Sequence, residues 1–560
     1  MLFGRYARST QVVLLTAVTA VAVSSSTVLA QAKSEEKAAP ESSSAIVHSQ
    51  ATADSTTEGS VNVGGQAIAY RAVAGTITVG GSDPQDATIG FDGKLLPDAN
   101  IKLPEKAEDA PPTARMFYVA YFKKDASAAQ RPIVFAYNGG PGSPTMWLHM
   151  GTFGPKRIVT PDTQHQEGAP YTIVNNDYSL LDVADIVFID APGTGLSRTF
   201  GKNKAEAFYG VDGDGHAFER FIRRFLSKYD RWNSPKYIFG ESYGTPRSAV
   251  LAADLRSVDL NGVILLSQIL SFDNSVDGPT ANPGVDQAYA LALPTYAASA
   301  WYHHKLPTQP PALKPFLEEV QKYALGEYMT ALLQGSELSD TERQAVAEKL
   351  HGYTGLPVDY LLRADLRVTG GEFSEELKLN EGLTTGRLDS RYEGPQVDPL
   401  GSSSGYDPQS DAITSAWNTA INQYLHDDLK YATQATYLMS ARQGGEFSWN
   451  MNHQPPGRGG GGGGGNNSSE TGANVMPDLA YRMKMNPKMK VMLAGGYYDL
   501  ATPYFEGIYE MHHLPMPKAL QSNISYHYYE AGHMIYVRED ILKQFHADVA
   551  SFIKSTESGK

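Results

Sequence analysis

Residues 237 to 250 read YIFGESYGTPRSAV, and the interpretation of the whole chain starts from this segment. A short apolar run ends at Phe239, a glycine-bracketed pentad with Ser242 at its centre follows, and Pro246 opens a stretch of helical character. Proline is well suited to the first turn of a helix. The order predicts a strand, a sharp turn and a helix, which is the setting that presents a serine as a nucleophile. The alternative is an ordinary loop.

A second Gly-x-Ser-x-Gly pattern occurs at Gly401 to Gly405. It lies among polar, proline- and aspartate-containing residues, and no apolar run precedes it. We therefore predict a loop there, and only Ser242 has the context of a nucleophile.

The remaining apolar runs predict an α/β fold class. The runs that indicate buried strands are IVFAYN (133 to 138), DIVFID (185 to 190), KYIFG (236 to 240), GVILLS (262 to 267), KVMLAG (490 to 495) and SYHYY (525 to 529). Several are separated by helical stretches, the clearest from Phe218 to Tyr229, where apolar side chains recur at helical spacing. Strands that alternate with helices favour a central, mostly parallel sheet. The alternating segments 66 to 79 and 116 to 122 predict antiparallel strands at its start.

The composition along the 560 residues predicts five segments. Residues 1–30 have two arginines before an apolar run at 12 to 23 and end in Ala30, a signal-peptide pattern; an uncleaved anchor is the alternative, although the run is short for a membrane span. Residues 31–60 are polar and predict a disordered linker. Residues 61–270 and 446–560 form the two parts of the core, and the helical stretch 271–445 forms an inserted cap. The glycine-rich run 457–472 predicts a flexible loop.

Charge and cysteine content exclude several functions. With 61 acidic and 47 basic side chains and no basic cluster, the chain has no nucleic-acid-binding character. The absence of cysteine excludes disulfides, thiolate metal sites and a cysteine nucleophile. A cysteine-free exported chain favours a periplasmic or secreted, bacterial-type protein without a stable membrane anchor. No motif predicts a cofactor or a metal, and nothing indicates the oligomeric state.

The acidic stretch 212–214 lacks the later ligands of a calcium loop and is predicted to be a turn. The adjacent pairs His303-His304 and His512-His513 would point apart on a helix, so we predict no joint metal ligation.

A serine nucleophile needs a base, and the base needs a group that fixes its tautomer. In this architecture the partners follow in the order Ser, Asp, His after later strands. Asp499 follows the run KVMLAGG, and His533 follows SYHYY. We predict Ser242 as nucleophile, His533 as general base and acid, and Asp499 as the residue that orients His533. The amide of Tyr243 and the glycine-rich backbone 139–142 fit the two donors of an oxyanion hole.

The motifs NGGPGSPT (138 to 145), FIDAPGTGLS (188 to 197), GESYGT (240 to 245), the Asp499 loop and AGHM (531 to 534) together resemble the serine carboxypeptidases, peptidase family S10. The resemblance extends from about 110 to 560. It implies an α/β-hydrolase fold with an inserted helical cap and the release of carboxy-terminal residues from peptides with a free carboxyl terminus. It also implies that the Gly140 and Tyr243 amides form the oxyanion hole, and that Asn138, Gly139 and Glu241 bind the terminal carboxylate.

Glu241 facing a carboxylate requires the two groups to share a proton, which favours acidic pH. The chain departs from the family at two nearby positions: Ala136 stands where a tryptophan is usual, and Thr152 where a second glutamate is usual. These departures concern carboxylate recognition and the pH optimum and leave the nucleophilic chemistry intact. An esterase or acyltransferase on the same scaffold is the nearest alternative, and a catalytically silent binding protein is a further one.

Overall fold

A computed structural model of the chain describes residues 53–99, 101–102, 104–279, 283–401, 404–431, 434–445, 447–456 and 473–557. The predicted signal peptide, most of the predicted linker, Ser403 of the second serine pattern and the glycine-rich run 457–472 lie outside the described residues. Within the described ranges, no helix has the length and apolar character needed to cross a membrane.

The strands, numbered along the chain, are β1 Ser55–Val63, β2 Gln66–Gly80, β3 Thr113–Lys123, β4 Ile133–Tyr137, β5 Lys156–Ile158, β6 Ile173–Asn175, β7 Asp185–Ile189, β8 Arg198–Phe200, β9 Lys236–Glu241, β10 Gly262–Leu266, β11 Leu383–Thr385, β12 Glu393–Pro395, β13 Lys490–Gly496 and β14 Ile524–Tyr529. In the part of the chain described, ten of them form one sheet in the order β1-β2-β3-β7-β4-β9-β10-β13-β14, with β8 beside β3. The pairs from β1 to β7 are antiparallel, and those from β7 through β14 are parallel. This confirms the mostly parallel sheet and the antiparallel start.

The first strand lies partly inside the segment that the sequence predicts to be a linker. Strand β1 pairs with β2 along its whole length, from Ser55 opposite Ala74 to Val63 opposite Gln66. Residues 55–60 therefore belong to a strand and not to the linker predicted for 31–60. Their side chains contribute little burial, and backbone hydrogen bonds to a long neighbouring strand order them instead. Sequence hydrophobicity does not record that kind of stabilisation.

The helices are α1 Asp83–Asp86, α2 Met146–Leu148, α3 Lys204–Phe208, α4 Val211–Lys228, α5 Gly244–Asp254, α6 Gln287–Tyr302, α7 Leu313–Tyr323, α8 Met329–Gln334, α9 Asp340–Thr354, α10 Val358–Arg363, α11 Gly370–Glu376, α12 Pro408–Asp427, α13 Met476–Met485, α14 Tyr504–His512 and α15 Glu539–Glu557. Helices α4, α5 and α13 share one buried cluster with the sheet, and α12 and α15 share another. The sheet is thus covered on both faces, as an α/β-hydrolase fold requires.

The predicted cap region 271–445 is mainly helical, but its helices do not pack as one group. Side chains of α6 to α11 form a separate buried cluster with the segment 497–509 after β13. Helix α12 instead packs against the sheet in the main core. The cap boundaries therefore stay a prediction.

The start of α4 corrects one interpretation. Asp212 and Asp214 were predicted to form a turn, but both lie in the first turn of this helix. Carboxylates are favourable there because the helix dipole is positive at its amino terminus. The apolar stripe that predicted the helix is confirmed, since Phe218, Phe221 and Phe225 are fully buried.

Candidate active site

Ser242 occupies a sharp turn between β9 and α5. Its φ of 58° lies in the left-handed region, which is strained for a residue other than glycine and is typical of functional turns. Gly240 permits the turn, because a Cβ there would stand 2.1 Å from the carbonyl oxygen of Gly244. The Ser242 amide donates to the carbonyl of Leu266 at the end of β10 at 3.0 Å. The strand, turn and helix predicted around Ser242 are confirmed.

Asp499 and His533 form a buried hydrogen-bonded pair. The distance from His533 Nδ1 to Asp499 Oδ2 is 2.7 Å, and the two residues are 5% and 1% exposed. Asp499 Oδ1 accepts from the amides of Ala501 and Thr502 at 2.9 and 3.0 Å, and the Thr502 hydroxyl donates to Oδ2 at 2.7 Å. These contacts fix the carboxylate, so it holds the proton of the imidazole on Nδ1.

The pKa of His533 is raised from its ordinary value. Burial alone would lower it, but the charge and hydrogen bond of Asp499, together with the charge of Glu241, outweigh the burial. The site therefore stabilises an imidazolium, the species that a general base becomes.

Ser242 and His533 bracket the carboxyl end of β10. The Ser242 amide binds the carbonyl of Leu266, and the hydroxyl of the next residue, Ser267, donates to the carbonyl of His533 at 2.7 Å. Among the hydrogen bonds of the described residues, none joins the Ser242 hydroxyl to the imidazole, and none involves His533 Nε2. The hydrogen bonds of the imidazole are made by Nδ1. Catalytic hydrogen bonds of this kind often tighten only when substrate is bound. The hydrogen bond between Ser242 and His533 therefore stays a prediction.

The glycine loop after β4 packs directly on the serine turn. A Cβ on Gly139 would stand 2.3 Å from the Tyr243 amide nitrogen, and Gly140 has a φ of 108° that favours glycine. Within the described chain, neither the Gly140 amide nor the Tyr243 amide donates a hydrogen bond. Two unused donors next to the serine are what an oxyanion requires.

Asn138 and Glu241 form a buried polar pair beside Ser242. Asn138 Nδ2 donates to Glu241 Oε2 at 2.8 Å, and Asn138 Oδ1 accepts from the amide of Leu148 at 3.0 Å. Burial raises the pKa of Glu241 to about 7, although the charge of His533 and the hydrogen bonds from Tyr536 and Asn138 lower it. The sequence-predicted residues Asn138, Gly139 and Glu241 are thus gathered at one edge of the serine turn.

Tyr536 is a site residue that the sequence analysis missed. Its hydroxyl donates to both oxygens of Glu241, at 3.1 and 3.0 Å, and the side chain is buried. Thr152, which stands where the family has a glutamate, uses its hydroxyl to donate to the Leu148 carbonyl at 2.6 Å. The only sequence signal for Tyr536 is its position three residues after His533.

A buried ion pair between Arg247 and Asp214 lies next to the serine turn. Arg247 on α5 is fully buried, its Nε donates to Asp214 Oδ2 at 2.5 Å, and its Nη1 donates to the carbonyl of Asn138 at 2.6 Å. Burial raises the pKa of Asp214, with the arginine charge acting in the opposite direction. In sequence, Arg247 resembles an exposed helix residue, so nothing there indicated this role.

In the described ranges, no group of three or more histidine, aspartate or glutamate side chains could hold a metal ion.

Comparison with known proteins gives a family match for the segment that contains the serine turn. Residues 107–257 match the family model described as serine carboxypeptidase. Serine carboxypeptidase-like 16 of Arabidopsis thaliana is 26% identical over 218 residues, which are 36% of this chain and 46% of that protein. Serine carboxypeptidase-like 35 of the same plant is 27% identical over 238 residues, or 39% and 45% of the two chains. The matches thus span less than half the length of these curated relatives. As plant proteins, they give no support to a bacterial-type member.

Two solved structures align with much of the chain at low identity. A prohormone-processing carboxypeptidase from Saccharomyces cerevisiae aligns with a TM-score of 0.46 and 13% identity, covering 86% of this chain and 91% of that one. A proline iminopeptidase from Mycobacterium smegmatis aligns with a TM-score of 0.34 and 12% identity, covering 80% and 96%. Asp499 and His533 lie outside the matched segment 107–257, whereas the glycine loop and the serine turn lie inside it. The chain therefore matches the serine carboxypeptidase family model in the segment that contains Ser242, the Gly140 and Tyr243 amides and the Asn138–Glu241 pair.

Proposed function

We propose that the protein is a serine-type carboxypeptidase that releases the last residue of peptides with a free carboxyl terminus. The observation that carries the proposal is the buried, hydrogen-bonded Asn138–Glu241 pair beside Ser242. Ester hydrolysis needs the nucleophile and its base but does not require a group that recognises a free carboxylate.

The proposed reaction has two stages. Ser242 Oγ attacks the carbonyl carbon of the last peptide bond while His533 Nε2 takes the hydroxyl proton. The amides of Gly140 and Tyr243 stabilise the oxyanion, the C–N bond breaks, and the imidazolium gives its proton to the departing amine. Water then attacks the acyl-enzyme, with His533 acting as base again, and Ser242 is regenerated.

Carboxylate recognition depends on the proton of Glu241. Protonated Glu241 can donate to the substrate carboxylate, while an ionised one would repel it. Protonation of Glu241 also removes a negative charge that raises the pKa of His533. The form that binds the carboxylate is therefore also the form in which the imidazole is more readily neutral and able to act as base.

The experiment compares matched acyl-dipeptides with free and amidated termini between pH 4 and 8. We expect a preference for the free acid that is largest at acidic pH. In Glu241→Gln the pH dependence of this preference should be lost, because a side-chain amide donates hydrogen bonds but has no proton that titrates. Equal turnover of acid and amide at every pH would overturn the carboxypeptidase proposal and leave only a serine hydrolase.

Labelling by a fluorophosphonate tests the hydrolase chemistry separately. We expect the folded protein to be labelled and Ser242→Ala to be unlabelled. An unlabelled wild-type protein would favour the silent binding protein.

We further propose that the protein is exported, on the strength of the amino-terminal pattern at residues 1–30. Amino-terminal sequencing of the protein from its native host should show a mature chain that begins after Ala30. A mature chain that retains Met1 would contradict export by a cleaved signal.

A further inference from the structure

We propose that Tyr536 is a positioning residue that holds Glu241 for the substrate's terminal carboxylate and sets the upper pH limit of carboxylate recognition. The inference rests on the proposed function, because it concerns the group that the free carboxyl terminus would meet.

The contact between Tyr536 and Glu241 is built into the fold. Tyr536 lies three residues after His533, in the short turn Ile535–Val537, and its hydroxyl reaches both oxygens of Glu241 at 3.1 and 3.0 Å. The ring packs against Gly151, where a Cβ would stand 2.6 Å from two ring carbons. A glycine at this position thus lets the ring come close enough for the hydroxyl to reach Glu241.

The tyrosine is a donor throughout the working pH range. Burial and the neighbouring charge of Glu241 raise the pKa of Tyr536 well above its ordinary value, so the hydroxyl keeps its own proton. It therefore stabilises the ionised form of Glu241, which accepts, more than the protonated form. The pKa of Glu241 should be lower with this hydroxyl than without it.

The other groups around Glu241 do not replace this effect. The charge of His533 favours ionised Glu241 in the same direction, the charge of Asp499 opposes it, and Asn138 is a neutral donor. The hydroxyl of Thr152, on the neighbouring turn, is already bonded to the Leu148 carbonyl. Among the described residues, Tyr536 and Asn138 are thus the two uncharged donors to Glu241.

Substrate binding requires only that one proton be shared. With Glu241 protonated, its proton lies between its own oxygen and the substrate carboxylate, and Tyr536 and Asn138 keep the carboxyl oriented. With Glu241 ionised, two carboxylates would face each other, and binding weakens. Tyr536 therefore has two effects. It fixes the orientation of the Glu241 carboxyl, and it lowers the pH above which binding of the substrate carboxylate weakens.

The test is the pH profile of Tyr536→Phe. The profile of kcat/KM reports the ionisation of the free enzyme. We expect the alkaline limb for an acyl-dipeptide acid to move upward by about one pH unit, as the loss of a hydrogen bond to an ionised group implies. The profile for the matched amide should keep its shape. A merely structural role would lower activity on both substrates without moving the limb.

Two further variants complete the design. Tyr529→Phe removes a buried hydroxyl that binds Asp548 at 2.6 Å, and it should leave both profiles unchanged. Gly151→Ala pushes the Tyr536 ring away from Glu241 and should produce the same upward shift, so it tests the contact even where Tyr536→Phe does not fold.

The outcomes separate the two claims. An acid preference in the wild type with no upward shift in either Tyr536→Phe or Gly151→Ala would overturn the role of Tyr536 and spare the carboxypeptidase. A wild type that does not distinguish acid from amide at any pH would overturn both.

Discussion

Replacing Asp499 by asparagine should abolish most activity by reversing the imidazole tautomer. The amides of Ala501 and Thr502 both donate to Oδ1, so the asparagine oxygen must take that position. Its NH₂ group then faces His533 Nδ1, at the place of the present 2.7 Å contact. Because two donors cannot face each other, Nδ1 must become an acceptor and the proton must move to Nε2. An imidazole protonated at Nε2 cannot take the proton of Ser242.

The expected loss in kcat is about 10⁴-fold, the size typical of this replacement in a serine triad. It corresponds to about 5 kcal/mol of transition-state stabilisation. An activated ester should be the substrate, because its turnover does not depend on carboxylate recognition. The matched control is Asp548→Asn, which neutralises a partly exposed aspartate 3.3 Å from His527 and should leave the rate unchanged. A folded Asp499→Asn variant within tenfold of the wild-type kcat would refute the tautomer argument.

Two predictions concern stability. Arg247→Ala leaves Asp214 buried without its partner, and it should cost about 3–5 kcal/mol in urea denaturation; Arg247→Met combined with Asp214→Leu should recover most of that loss, and no recovery would contradict the ion-pair argument. His453 lies between Asp212 and Asp478 at 2.6 and 2.8 Å. Burial opposes its charge, but the two carboxylates raise the pKa of His453 to about 9. The resulting stability is fully present below the unfolded pKa of about 6.5 and is lost as pH rises through about 9. The wild type should therefore lose about 2 kcal/mol more than His453→Gln over that interval, and parallel profiles would contradict the assignment. Burial keeps the pKa of Asp478 raised despite His453, so the gain is smaller than the histidine shift alone implies.

The fold could be predicted from the sequence where burial determines both the hydrophobic pattern and the structure. Buried parallel strands such as β4, β7 and β10 are continuous apolar runs because both faces of the sheet are covered. Strand β1 has no such run, because its order comes from backbone pairing with β2, and residues 55–60 therefore lack a hydrophobic pattern that could predict it.

In the candidate site, too, some residues could be predicted from the sequence and others could not. Ser242, Asp499 and His533 could be predicted because serine-hydrolase chemistry demands those residue types in a fixed order after strands. The supporting residues were missed because their types are common and their roles depend on long-range packing. Tyr536 reaches Glu241 across 295 positions of sequence, and Arg247 reaches the carbonyl of Asn138 across 109. No local pattern encodes such contacts.

Asp499 and Glu241, the two buried carboxyls beside His533, differ in whether their oxygens have room for a proton. This difference supports the role proposed for each. Among the described residues, every group that is hydrogen-bonded to Asp499 donates to it. Two amides donate to Oδ1, and the Thr502 hydroxyl and His533 Nδ1 donate to Oδ2. Protonating either oxygen would set two donors against each other, so Asp499 can act only as an acceptor. Among the described residues, Glu241 Oε1 accepts only from the shared Tyr536 hydroxyl and keeps a free lone pair. This difference supports the proposed roles, in which Glu241 carries the proton to the substrate carboxylate and Asp499 orients the imidazole.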